Sequence, residues 1–112
     1  MIQILKIFLP LFVMAHSIPS LGQENKVFRS LKEAWANKEN VYHLNLRNTD
    51  LQTFPDSILE LKNLVTLDLG QNQIGTIPTG LVELKSLELI DLEDNQIFSL
   101  PESFWQLTNL KY

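Results

Sequence analysis

Residues 64–74, LVTLDLGQNQI, and residues 87–97, LELIDLEDNQI, carry one pattern: apolar side chains at positions one, four, six and eleven, and asparagine at position nine. Residues 41–51, VYHLNLRNTDL, repeat it with Thr49 in place of the asparagine. Cut at Val41, Leu64 and Leu87, the chain falls into three consecutive 23-residue units, 41–63, 64–86 and 87–109, and residues 110–112 open a fourth. Tandem repeats of this length bury their apolar faces by stacking on one another.

Each column of the repeat has a physical reading. Leu44 and Leu46, Leu67 and Leu69, and Ile90 and Leu92 are two apart, which places each pair on one face of a short strand and its neighbours on the other. Consecutive strands in the same direction form a parallel sheet and need a crossover. The rest of each unit supplies it. Leu51, Ile74 and Ile97 turn inward, as do Phe54, Ile77 and Leu100. Pro55, Pro78 and Pro101 then fix the backbone where the chain bends to the convex side. Ile58 and Leu61, Leu81 and Leu84, and Phe104 and Leu107 are three apart, which suits a helical or 3₁₀ segment packed back on the sheet. Asn72 and Asn95 are read as structural, because a buried amide can satisfy backbone groups left open by a tight turn. The asparagine ladder is expected to fray at Thr49.

At these residues the sequence resembles the leucine-rich-repeat family, in the subtype whose repeat continues as LPxxxxxLxxL, here Ile77-Pro78 through Leu84-Lys85-Ser86-Leu87. The resemblance covers residues 41–112. It implies an α/β architecture: a right-handed solenoid with a short parallel concave sheet, convex helical or 3₁₀ segments, and a concave face that recognises proteins. Such repeats serve many proteins, so the fold alone sets function only broadly.

The N-terminal residues differ in kind. Ile7 to Ala15 form an apolar stretch behind Lys6, followed by small residues at Ser20 and Gly22, the arrangement of a secretory signal peptide over 1–22. The stretch is too short to span a membrane and Pro10 interrupts it, so no stable span is expected after its removal. Residues 23–40 are expected to form a helical cap. Val27, Phe28, Leu31, Ala34 and Trp35 recur at helical spacing, predicting a helix over about 25–37 with Asn25 as N-cap and Trp35 plugging the core. The chain has no cysteine, which excludes disulfides, thiolate metal sites and a lipidated cysteine. It also lacks an Asn-x-Ser/Thr glycosylation site and the cysteine-rich end caps of many extracellular relatives in eukaryotes. A bacterial envelope, periplasmic or secreted setting follows as the expectation.

Formal net charge is −4, and −5 without the leader, since Lys6 is its one charged residue. That argues against nucleic acid as a partner. Outward strand positions form three columns: His43, Thr66 and Leu89; Asn45, Asp68 and Asp91; Arg47, Gly70 and Glu93. Asn48, Gln71 and Asp94 stand at the strand exits. The candidate partner-binding residues are His43, Asn45, Arg47, Thr66, Asp68, Gln71, Leu89, Asp91, Glu93 and Asp94. Acidic residues gather toward the C-terminal end, where they either attract a basic patch on a partner or simply keep an exposed sheet soluble. Leu59, Val82 and Trp105 form an apolar convex column, read either as satellite packing or as a contact stripe anchored by Trp105.

His43 has no nucleophile and orienting acid arranged around it, so no enzyme activity, metal or other cofactor is expected. The sequence therefore points to an exported protein-binding module. The alternative is a truncated N-terminal fragment of a longer surface or structural protein, without a binding function of its own, in which only Leu110, Lys111 and Tyr112 follow the third repeat and its uncovered apolar edge invites self-association. Parallel strands lie about 4.8 Å apart, so the concave strip is only about 15 Å across. That is small against the roughly 800 Å² that each partner contributes to a standard interface.

Overall fold

The computed structural model describes residues 23–111. The proposed leader, 1–22, and Tyr112 lie outside the described residues. Four short strands, β1 (Val27–Phe28), β2 (His43–Asn45), β3 (Thr66–Asp68) and β4 (Leu89–Asp91), form one parallel sheet in chain order. The register aligns Phe28, Leu44, Leu67 and Ile90 across the sheet, and all four are buried. This row is the expected inward column, with Phe28 added to it.

In each of the three repeats the convex segment begins at a proline. Pro55, Pro78 and Pro101 hold φ at −73°, −71° and −65°, within the narrow range the pyrrolidine ring permits. The 3₁₀ segments Asp56–Glu60, Thr79–Glu83 and Glu102–Gln106 follow directly. Ile58, Leu81 and Phe104 turn inward from them, and Leu61, Leu84 and Leu107 just beyond complete the buried layer. Sheet and 3₁₀ layer thus enclose one continuous apolar core.

Asn72, 4% exposed, ties the first repeat to the second. Its Nδ2 donates to the Leu46, Leu69 and Gly70 carbonyls at 2.9, 2.9 and 3.1 Å. Its Oδ1 accepts from the Thr49 and Leu51 amides at 3.0 and 2.9 Å. Asn95 makes the corresponding donations to Leu69, Leu92 and Glu93 and accepts from the Ile74 amide at 2.9 Å. The Thr49 hydroxyl donates to the Leu46 carbonyl within its own repeat, so no side chain at this position reaches back toward β1.

The N-terminal segment departs from the expected long helix. Val27 and Phe28 form a strand, and α1 covers only Leu31–Ala36. The N-cap is Ser30, not Asn25: its Oγ accepts from the Glu33 amide at 3.1 Å, as the Ser-x-x-Glu spacing allows. Phe28 is placed inward by strand alternation, and the helix restarts the phase so that Ala34 takes the buried position. Trp35 is therefore not a core plug. It is 44% exposed, with the Lys38 ammonium 4.8 Å from its ring centroid.

The third repeat also differs from the first two. Phe54 and Ile77 are buried, whereas Leu100, the corresponding inward residue, is 36% exposed. Leu92 and Ile97 are likewise only half-buried, because among the described residues no further sheet strand covers them.

Candidate binding face

The strand register places the candidate residues on one surface. His43, Thr66 and Leu89 form a row that β1 extends with Val27. Asn45, Asp68 and Asp91 form the next row, and Arg29, one residue beyond Phe28, continues the same alternation. A hollow of about 300 Å³ opens here, lined by Val27, Arg29, His43, Asn45, Thr66 and Leu89 among others. A 2.9 Å hydrogen bond joins His43 Nδ1 to Thr66 Oγ1 across its floor. Val27 and Arg29 were missing from the sequence-based set. The apolar residue between two outward ones, Val27-Phe28-Arg29, was their only signal.

Asn45, Asp68 and Asp91 also close the turns at the strand exits. Their Oδ1 atoms accept from the amides two residues on, Arg47, Gly70 and Glu93, at 3.0, 2.9 and 2.9 Å. Asn48, Gln71 and Asp94 follow with φ near 55°, the left-handed region that lets the chain leave the strand sharply. Gln71 and Asp94 are exposed beside the face.

Arg47 changes the electrostatics. Its Nη1 lies 3.2 Å from both Asp68 Oδ1 and Asp91 Oδ2, and its Nη2 pairs with Glu93. One guanidinium from the first repeat thus crosses the second and reaches the third. Gly70 makes the passage possible, because a Cβ there would lie 2.8 Å from Arg47 Cζ. The hydrogen bond to Glu93, with Asp68 and Asp91 adding to it, raises the Arg47 pKa above its already high ordinary value. Glu88 is paired with Lys111 at 2.8 Å. The acidic end, Glu88, Asp91, Glu93 and Asp94, is therefore not a bare patch: Asp91 and Glu93 share one guanidinium with Asp68, and Glu88 has its own lysine.

On the opposite side, Leu59 and Val82 are half-buried. Leu59 packs against the next 3₁₀ segment, where a Cβ on Gly80 would come within 3.0 Å of its Cδ1. Trp105 alone stands out, 72% exposed and edge-on to Phe104 at 5.4 Å. The convex residues therefore do not share one exposed stripe. Among the described residues no helix is long and apolar enough to cross a membrane.

A parallel sheet of short strands, proline-led 3₁₀ crossovers and an asparagine ladder define a leucine-rich-repeat protein. The family profile described as leucine rich repeat matches residues 39–97, and the chain belongs to this family. A solved leucine-rich-repeat protein of Leptospira interrogans is similar to it, with 29% sequence identity and a TM-score of 0.51. The match covers 76% of this chain and 28% of that one, so this chain spans little more than a quarter of the Leptospira protein. Comparison with curated proteins gives no match.

Proposed function

We propose that this chain is an exported, bacterial protein-binding module that contacts its partner through the concave sheet face. The observation that carries the reading is the convergence of His43, Asn45, Arg47, Thr66, Asp68, Leu89, Asp91 and Glu93 on one surface beside a hollow. The family is generally one of protein-interaction modules, and the similar protein comes from a bacterium. Export to the periplasm, cell surface or medium rests on the signal-like residues 1–22. We further propose that the solenoid winds right-handed and that residues 23–40 cap its first repeat, through Phe28 and Ala34 in the core.

Affinity capture from envelope or culture fractions tests the binding face. Asp68→Asn, Asp91→Asn and Glu93→Gln together remove three charges while keeping the acceptor oxygens that close the turns. Partner recovery is expected to fall about tenfold, equivalent to about 1.4 kcal/mol. Undiminished recovery by a folded triple variant rules the face out.

A second reading, self-association through the C-terminal end of the sheet, is favoured by a separate hollow of about 370 Å³ lined by Leu92, Ile97, Phe98 and Leu100. Phe98 is 80% exposed there. Backbone amides of Leu46 and Leu69 donate to the next strand at 2.8 Å, whereas among the described residues no carbonyl receives the Leu92 amide. An apolar edge with an open donor is a template for another chain. Phe98→Asp is expected to convert a concentration-dependent dimer to monomer in sedimentation. A wild-type chain that stays monomeric at high concentration eliminates this reading.

A further inference from the structure

The concave face has an electrical direction. At its N-terminal edge stands Arg29, exposed and without an ion pair among the described residues, while the neighbouring Lys26 is engaged with Glu33 at 2.8 Å. At the other end Asp68, Asp91 and Glu93 share the single Arg47 cation, which leaves an excess of negative charge. Between Arg29 and these carboxylates, Asn45 lies in the same row, and His43 Nδ1 is hydrogen-bonded to Thr66 Oγ1.

We propose that this face selects an extended segment of a partner protein bearing an acidic residue, an apolar residue two positions on, and a basic residue two positions beyond that. The inference rests on the concave-face reading and adds the chemistry of the partner. Its spacing follows from sheet geometry. Arg29, one residue past β1, continues the row that Asp91 occupies on β4, three strand intervals away. At about 4.8 Å each, these intervals span about 14 Å. An extended chain rises about 3.3 Å per residue, so two residues four positions apart stand about 13 Å from each other. The even offset also turns both side chains to the same side. The residue midway faces the hollow, whose lining holds the apolar Val27, Leu44 and Leu89 as well as Arg29 and Asp68, and an apolar side chain fits against the apolar part. The narrow strip favours a short segment over a second globular copy, which would need a far larger contact.

The test uses fluorescence anisotropy with the full 112-residue chain and labelled five-residue peptides at low salt, where surface charge contacts are strongest. One peptide carries Glu, Leu and Lys at its first, third and fifth positions. Two controls carry Glu or Lys at both ends, and a third brings the opposite charges to adjacent outward positions. The bipolar peptide is expected to bind about fivefold more tightly than any control. Arg29→Glu is expected to transfer the preference to the peptide with Lys at both ends. Equal binding of all peptides, no binding by any, or an unchanged preference in Arg29→Glu overturns the proposal.

Thr66→Trp separates this failure from failure of the concave-face reading. It fills the hollow, so peptides that still bind this variant at full strength lie elsewhere and the face itself is wrong. Pattern-blind binding that Thr66→Trp abolishes retains the face and rejects only the charge pattern. Association of the chain with itself that Arg29→Glu abolishes identifies a second copy as the occupant and also rejects the peptide assignment.

Discussion

Asn72→Ala is expected to lower the unfolding free energy by about 2–4 kcal/mol, as read from urea denaturation. The substitution leaves the Thr49 and Leu51 amides without an acceptor and takes one donor from each of the Leu46, Leu69 and Gly70 carbonyls, which keep the Thr49 hydroxyl, Asn95 Nδ2 and the Asn48 amide. A buried backbone group without a partner costs about 1–3 kcal/mol. Thr49 is exposed and Leu51 half-buried, so water recovers part of the loss and the effect stays below the full sum. Asn95→Ala is the internal comparison. Its amide is more exposed and its oxygen accepts from Ile74 alone, so the expected loss is about 1–2 kcal/mol. Equal losses at the two sites would show that the ladder does not concentrate stability between the first and second repeats.

Leu67→Ala is expected to cost about 2–5 kcal/mol, the range for truncating a buried leucine. Leu67 is fully buried in β3, with Leu44 and Ile90 in register on either side. Both neighbours belong to strands fixed by their own repeats, so the surroundings cannot close fully on the void. Domains of this size are stable by only about 5–15 kcal/mol, and the variant should unfold at clearly lower urea concentration with the slope unchanged. A loss below about 0.5 kcal/mol would contradict burial at this position, since only surface substitutions are normally that mild.

How much could be read from the sequence depended on repetition. Leu44, Leu67 and Ile90 could be assigned inward because the same two-residue alternation occurs three times, and Pro55, Pro78 and Pro101 marked where each 3₁₀ segment starts. The N-terminal residues offered no second copy against which to set a phase. A two-residue strand beside a six-residue helix has the apolar spacing of one helical period, which points Trp35 at the core. Ser30 and Glu33 carried the better signal, three apart at the true helix start. On the concave face the columns were legible but the charges were not. Linear spacing says that Arg47 and Glu93 share a column, yet not that Gly70 leaves a passage between them. Nor does it say that Asp68 and Asp91 spend an oxygen on the turn.

In a stacked array each unit ordinarily senses only the one beside it. Arg47 adds a coupling that skips a neighbour, since it belongs to the first repeat and its partners Asp91 and Glu93 belong to the third. Fraying of the third repeat therefore strips two of the three carboxylates from a cation on the first, leaving it Asp68 alone, while the second remains intact. Salt weakens this tie faster than it weakens the buried contacts between adjacent units. Low ionic strength should make the face respond as one body, and high ionic strength should return it to a row of separately breathing repeats.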